Sequence, residues 1–192
     1  MVVETPVAAK EPVVHRWTVE DYERMSELGL LPLDLGTELI DGVVYEKVTQ
    51  NEPHARCLER LTAAVYRRLI DRVRVRVQAP LRMAPWDMPE PDLLIIRADA
   101  PDERHPVPTD MLVAVEVSDT SLSFDRNHKL PRYAAHGVPQ LWILVIRSGQ
   151  VEVHNEPSED RYLQTRTYRS GETVPVPGLA DVGIPVDEIF PG

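Results

Sequence analysis

The chain has 192 residues, 43% of them hydrophobic, a formal net charge of −10 and one cysteine. This is long and apolar enough for one domain with its own core, and too apolar for a disordered chain. Cys57 alone excludes an internal disulfide and a four-cysteine zinc site, and the acidic balance opposes simple non-specific binding to a polyanion. No apolar run approaches the ~20 residues that span a bilayer, and the first residues lack the basic start and apolar stretch of a secretory signal. A cytoplasmic protein with no membrane association is expected.

Residues 1–16, rich in Val, Pro and Glu, read as a flexible tail ahead of a single domain over 17–190. Thr18 with Asp21 three residues later forms an acidic variant of the capping box and predicts a helix to about Leu28. Glu38-Leu39-Ile40 and Val43-Val44-Tyr45, separated by Asp41-Gly42, predict a hairpin, because both turn residues must accept positive φ. From Glu52 to Asp71, Leu58, Leu61, Val65 and Leu69 recur at helical spacing. Val73 to Gln78 alternates strictly and predicts a strand, one face buried and one polar, at a sheet edge. Arg67, Arg68, Arg72, Arg74 and Arg76 fall in this stretch: either a local basic patch or a solvated helix end running into an edge strand.

A Pro-rich loop leads into Asp92-Leu93-Leu94-Ile95-Ile96. Met111 to Val117 is apolar on both alternating faces, the pattern of a central strand covered on both sides. A short helix is expected at roughly 127–136, ending at Gly137, with Lys129 at or just before its start because Pro131 belongs in a first turn. Gln140 to Ile146 is a second central strand, followed by a hairpin around Ser148-Gly149. Beyond Arg161 lie short strand-like pieces. The order predicts an α/β domain built on a mixed sheet.

Glu116 is the most informative residue. An ionised carboxylate inside an apolar strand costs several kcal/mol unless a partner or a cation compensates it. An ion pair, a solvent-open strand end and a metal ion are the three explanations. Asp92 opens the preceding apolar strand, and the intervening loop allows both carboxylates to meet at one sheet edge. Two oxygen ligands with waters and phosphate oxygens suit Mg²⁺ or Mn²⁺. Lys129 is either a surface residue or a cation that orients water and offsets transition-state charge. Tyr133, four residues on, is core or a phosphate contact. His105, His128, His136 and His154 show no metal-ligand spacing. No helix-turn-helix, zinc finger or aromatic stacking platform is evident.

Pro91-Asp92, Glu116-Val117-Ser118-Asp119-Thr120-Ser121-Leu122, and Asp125-Arg126-x-x-Lys129-x-x-x-Tyr133-Ala134-x-x-Gly137-Val138-Pro139-x-x-Trp142 together resemble the Uma-two family of restriction-endonuclease-like proteins in the PD-(D/E)XK superfamily. The Glu38–Gly42 hairpin, His54, Gln78-x-Pro80 and Pro177-Gly178-Leu179 extend the resemblance over roughly Trp17 to Phe190. It implies a restriction-endonuclease-like fold, a mixed β-sheet flanked by helices. It also implies a metal-dependent endonuclease on DNA, with Asp92 and Glu116 as metal ligands, Lys129 catalytic, and Glu38 and His54 peripheral. The superfamily's lysine normally sits two residues after the acidic ligand, where this chain has Ser118, so Lys129 would be a migrated replacement. Double-strand cleavage would call for a homodimer or larger assembly. A catalytically inactive module binding protein or nucleic acid, and a hydrolase of small phosphoesters, are the rival expectations.

Overall fold

The computed structural model describes residues 13–32, 36–47 and 49–190. Of the predicted tail, residues 1–12 lie outside the described residues. Arg16 at its end pairs with Asp41 at 3.0 Å, and Trp17 N donates to Gly42 O.

Helix α1 (Val19–Glu27) starts at the expected capping box, where the Thr18 side chain accepts from Asp21 N and Asp21 accepts from Thr18 N. The hairpin β1 (Thr37–Ile40) and β2 (Val43–Glu46) forms with φ of 51° at Asp41 and 74° at Gly42. A Cβ at Gly42 would stand 2.6 Å from the Arg16 side chain, so both the turn and the close approach need glycine there. Helix α2 (Glu52–Leu69) begins at Asn51, which accepts from His54 N, and buries Leu58, Leu61, Val65 and Leu69.

The main sheet contains β3 (Val73–Val77), β4 (Leu93–Arg97), β5 (Met111–Ser118), β6 (Gln140–Val145), β7 (Gln150–Ser158) and β8 (Arg161–Tyr168), in that spatial order. All neighbours are antiparallel except β5 and β6. Parallel neighbours need a crossover, and here it is the helical run from Leu122 to Ala135. The hairpin β9 (Thr173–Val176) and β10 (Leu179–Pro185), with the short helix α5 (Val186–Ile189), completes the chain.

Both faces of the sheet are covered. Val113, Val115 and Val117 share a core with α2, Trp142 and Leu144, while Ala114 faces the crossover with Tyr133, Ala134 and Ile143. This explains why β5 is apolar at every step. The period of two also fixes the site: Glu116 falls on the Ala114 face, toward the crossover.

The expectations for the crossover, the segment after Arg161 and β3 need correction, and the two readings of the arginine run can be told apart. The crossover begins at Leu122, not near residue 127: α3 (Leu122–Phe124) runs into a wide π turn over Asp125–Lys129 and then α4 (Leu130–Ala135). Lys129 does sit just before the start of α4, as expected, but as the last residue of the π turn in a helical run that has already begun. Pro131 follows directly after the π turn, at the second residue of α4, where the locally displaced bonding register accommodates its missing N–H. The arginine run is not a free basic patch, since Arg67 and Arg68 pair with Glu188, Arg72 with Asp181, and Arg74 and Arg76 with Asp102. The segment after Arg161 opens with an eight-residue strand, β8, and not with short pieces only. Strand β3 is an edge strand as expected, but of its valines only Val73 is buried, and Val77 is exposed.

Candidate active site

Antiparallel pairing of β4 with β5 sets Leu93 opposite Val115. Asp92, one residue before Leu93, and Glu116, one residue after Val115, therefore meet at the same end of the sheet. Asp92 Oδ2 accepts from Val117 N at 2.8 Å and from His54 Nε2 at 3.2 Å, with the His54 role set by its tautomer. Its other oxygen lies 3.4 Å from Gln50 Nε2. The start of α2 thus places His54, and β4 places the carboxylate that His54 meets.

The crossover brings Lys129 and Tyr133, one helical turn apart, onto Glu116. Lys129 Nζ lies 3.3 Å from Glu116 Oε1 and 2.8 Å from Glu38 Oε2. The Tyr133 hydroxyl donates to Glu116 Oε1 at 2.6 Å. Tyr133 is fully buried, so it is a core residue whose polar end serves the glutamate and does not reach a phosphate. Glu38 comes from β1 and also accepts from Glu90 N at 3.3 Å. All five sequence-derived candidates, Glu38, His54, Asp92, Glu116 and Lys129, line one cavity of about 400 Å³.

Asp125 also lines the cavity and was not among the candidates. Its Oδ2 accepts from Ser118 Oγ at 2.6 Å and from Ser121 Oγ at 2.7 Å. Ser118, at the position of the superfamily's lysine, therefore serves to tie the end of β5 to the π turn that carries Lys129. The available signal was spacing: Asp125, Lys129 and Tyr133 recur every four residues.

Charge at this site is unbalanced. Glu38, Asp92 and Lys129 are each 6% exposed, and Glu116 and Asp125 3%. Four buried carboxyl groups thus face one ammonium and one histidine. Burial pushes Glu116 up to about 8, against the pull of Lys129 and with repulsion from Asp125, Asp92 and Glu38. Burial likewise raises the Asp125 carboxyl. Lys129 is raised despite its burial, because Glu116, Glu38 and Asp125 hold its charge.

The donor set is carboxylate oxygen in a site short of positive charge, which fits a hard divalent cation that keeps several of its waters. Among the described residues no group of three His, Cys, Asp or Glu side chains is arranged to hold a metal, so an all-protein cage of the zinc kind does not fit. Asp92 and Glu116 are the pair that would hold such an ion, with Lys129 already neutralising part of Glu116. Elsewhere, His136 meets Asp87 at 2.9 Å, His154 meets Thr165 at 3.0 Å, and His128 stacks on Phe124.

No curated protein matches the sequence significantly. A crystal structure of "a putative nuclease belonging to DUF820" from Anabaena variabilis superposes with a TM-score of 0.68 at 16% identity, covering 90% of this chain and 97% of that one. At that identity the likeness establishes the fold. The model of the Uma2 family, described as "Putative restriction endonuclease", matches residues 19–187, and this chain belongs to that family.

Proposed function

We propose that the chain is a Mg²⁺- or Mn²⁺-dependent endonuclease that hydrolyses phosphodiester bonds of DNA. The observation that carries this reading is the excess of buried carboxyl groups over cations around Asp92 and Glu116. Without a cation, the burial of Glu116 is met by a proton, its carboxyl being pushed up to about 8, and a divalent ion would take that proton's place.

Asp92 and Glu116 would hold the divalent ion, which would supply Lewis-acid polarisation of a phosphoryl oxygen. The chain's own residues supply the rest. Val117 N, His54 and Gln50 fix the Asp92 carboxylate, so its oxygens need no rearrangement to meet a ligand. Lys129 has three donors, of which Glu38 and Glu116 take two. The third would be left for a water or phosphate oxygen, where the ammonium would orient the nucleophile and offset charge developing in the transition state. Glu38 holds Lys129 at the periphery, and Tyr133 keeps Glu116 in one rotamer. Cleavage of both strands of a duplex would require two such sites, hence a dimer or larger assembly, whereas one site is enough for a single strand; either would act in the cytoplasm.

The test is a panel of plasmid, single-stranded DNA, RNA and a chromogenic phosphodiester, with Mg²⁺, Mn²⁺ or chelator. Cation-dependent hydrolysis that disappears in Asp92→Ala and Glu116→Ala is expected. Hydrolysis undiminished in both variants contradicts the assignment.

One observation favours a second reading, a catalytically inactive module that binds protein or nucleic acid. Lys129 and Tyr133 already compensate Glu116 in this arrangement. Failure of the wild type to bind Mn²⁺ would select that reading.

A further inference from the structure

Most nucleic-acid affinity normally comes from Lys and Arg on phosphates. Here the five arginines running from α2 into β3 are all committed to carboxylates. The cavity wall itself offers Lys47, paired with Glu90 at 3.2 Å, Lys129, paired with Glu38, and His54. Each of these three already has an acidic partner in the cavity, His54 meeting Asp92 at 3.2 Å.

The same wall carries aromatic surface instead. Tyr45 of β2 and Phe124 of α3 both line the cavity with Asp92, Glu116 and Lys129, and both are partly exposed. Their ring centroids are 5.0 Å apart at 65°, and His128 stacks on Phe124 at 4.9 Å. The two residues are distant in sequence, so no stacking motif was legible; the hairpin and the crossover bring them together. In an acidic cavity the base, unlike the phosphate, is not repelled by the surroundings, and a neutral π-face is its natural contact. Bases stacked inside a duplex cannot make that contact.

We propose that the cavity takes an unpaired nucleic-acid strand, with the base beside the scissile phosphate held against Tyr45 and Phe124. The proposal rests on the phosphodiesterase reading above and adds the substrate's form to it.

The experiment is fluorescence anisotropy of a labelled short thymidine oligonucleotide and of a duplex of the same length, in Ca²⁺, with the full chain. The single strand is expected to bind about tenfold more tightly than the duplex. Phe124→Leu and Tyr45→Leu should each weaken single-strand binding about tenfold, with Mn²⁺ binding unchanged. Equal or tighter binding of the duplex overturns the proposal, as does wild-type binding by both variants. Circular dichroism confirms that the variants are folded. Cleavage of the chromogenic phosphodiester by the wild type is scored separately: its absence counts against the catalytic reading, and the anisotropy comparison still decides this one.

Discussion

Two buried acids face the same helical crossover and are handled in opposite ways. Asp87 is fully buried, yet it accepts from Arg132 through Nε and NH2, from His136 Nε2 at 2.9 Å and from Asp41 N at 2.7 Å. Burial opposes its charge, but His136 and Arg132 outweigh that, and its carboxyl is held below the usual range. Glu116, on the other side, shares one ammonium with Glu38 and is pushed up to about 8. A balanced cluster is structural: it ties the loop before β4, the β1–β2 turn and α4 together. An unbalanced cluster lining a cavity is where the proposed cation would bind, since the chain's own cations leave carboxyl groups in excess.

The largest effect is expected at the unbalanced site, where Asp92→Asn or Glu116→Gln should lower cation-dependent cleavage about a thousandfold, several kcal/mol of barrier. Thermal unfolding should change little, because neither replacement leaves a new buried charge. Steady-state kinetics with Mg²⁺ checks the first statement and calorimetry the second. The balanced cluster should respond the other way. Asp87→Asn leaves Arg132 and His136 without their acid and should destabilise the fold by about 3 kcal/mol, lowering Tm by roughly 6–12 °C. A shift of only a degree would mean that the cluster is not structural.

Lys129→Met tests the two-sided role of the lysine. Removing the one ammonium leaves the carboxyl groups to repel one another, so the variant should lose about a hundredfold in cleavage. Its Tm should also rise more with Mg²⁺ than that of the wild type, since the ion then supplies all the compensation. An unchanged response to Mg²⁺ would place the binding elsewhere.

The smallest effect concerns a third acid on the crossover's outer side. His154, beside it at 3.7 Å, and Arg126, bonded through Nε at 3.1 Å, hold Glu152 down to about 2 against its burial. A carboxyl lowered in the folded state stabilises above its ordinary value of 4.5 and loses that contribution as pH falls toward 2. Arg126 is 44% exposed, so solvent screening keeps the contribution to about 1–2 kcal/mol. The stability difference between wild type and Glu152→Gln in denaturant should therefore be full at pH 7 and shrink through that window.

Much of the fold was legible because its signals are local. The Thr18–Asp21 capping box, the Asp41-Gly42 turn and the two-faced apolar run of β5 each fix their own geometry. Glu116 stood out because a carboxylate in such a strand breaks its pattern. What escaped depends on distant partners or on backbone register. Pro131 suggested a helix start, while the chain uses a π turn to carry Lys129 past it. Asp125 drew no attention on its own, and its place at the site follows from Ser118 and Ser121, which bond its carboxylate. The arginines were readable as a patch only until Glu188, Asp181 and Asp102 were brought to them.

The central claim is that the uncompensated carboxyl cluster holds a divalent cation. Mn²⁺ titration followed by electron paramagnetic resonance tests it directly, on the wild type, Asp92→Asn and Asp87→Asn at a temperature where all three are folded. The account predicts saturable binding that is lost in Asp92→Asn and kept in Asp87→Asn. Binding that persists undiminished in Asp92→Asn, or none in the wild type, would contradict it.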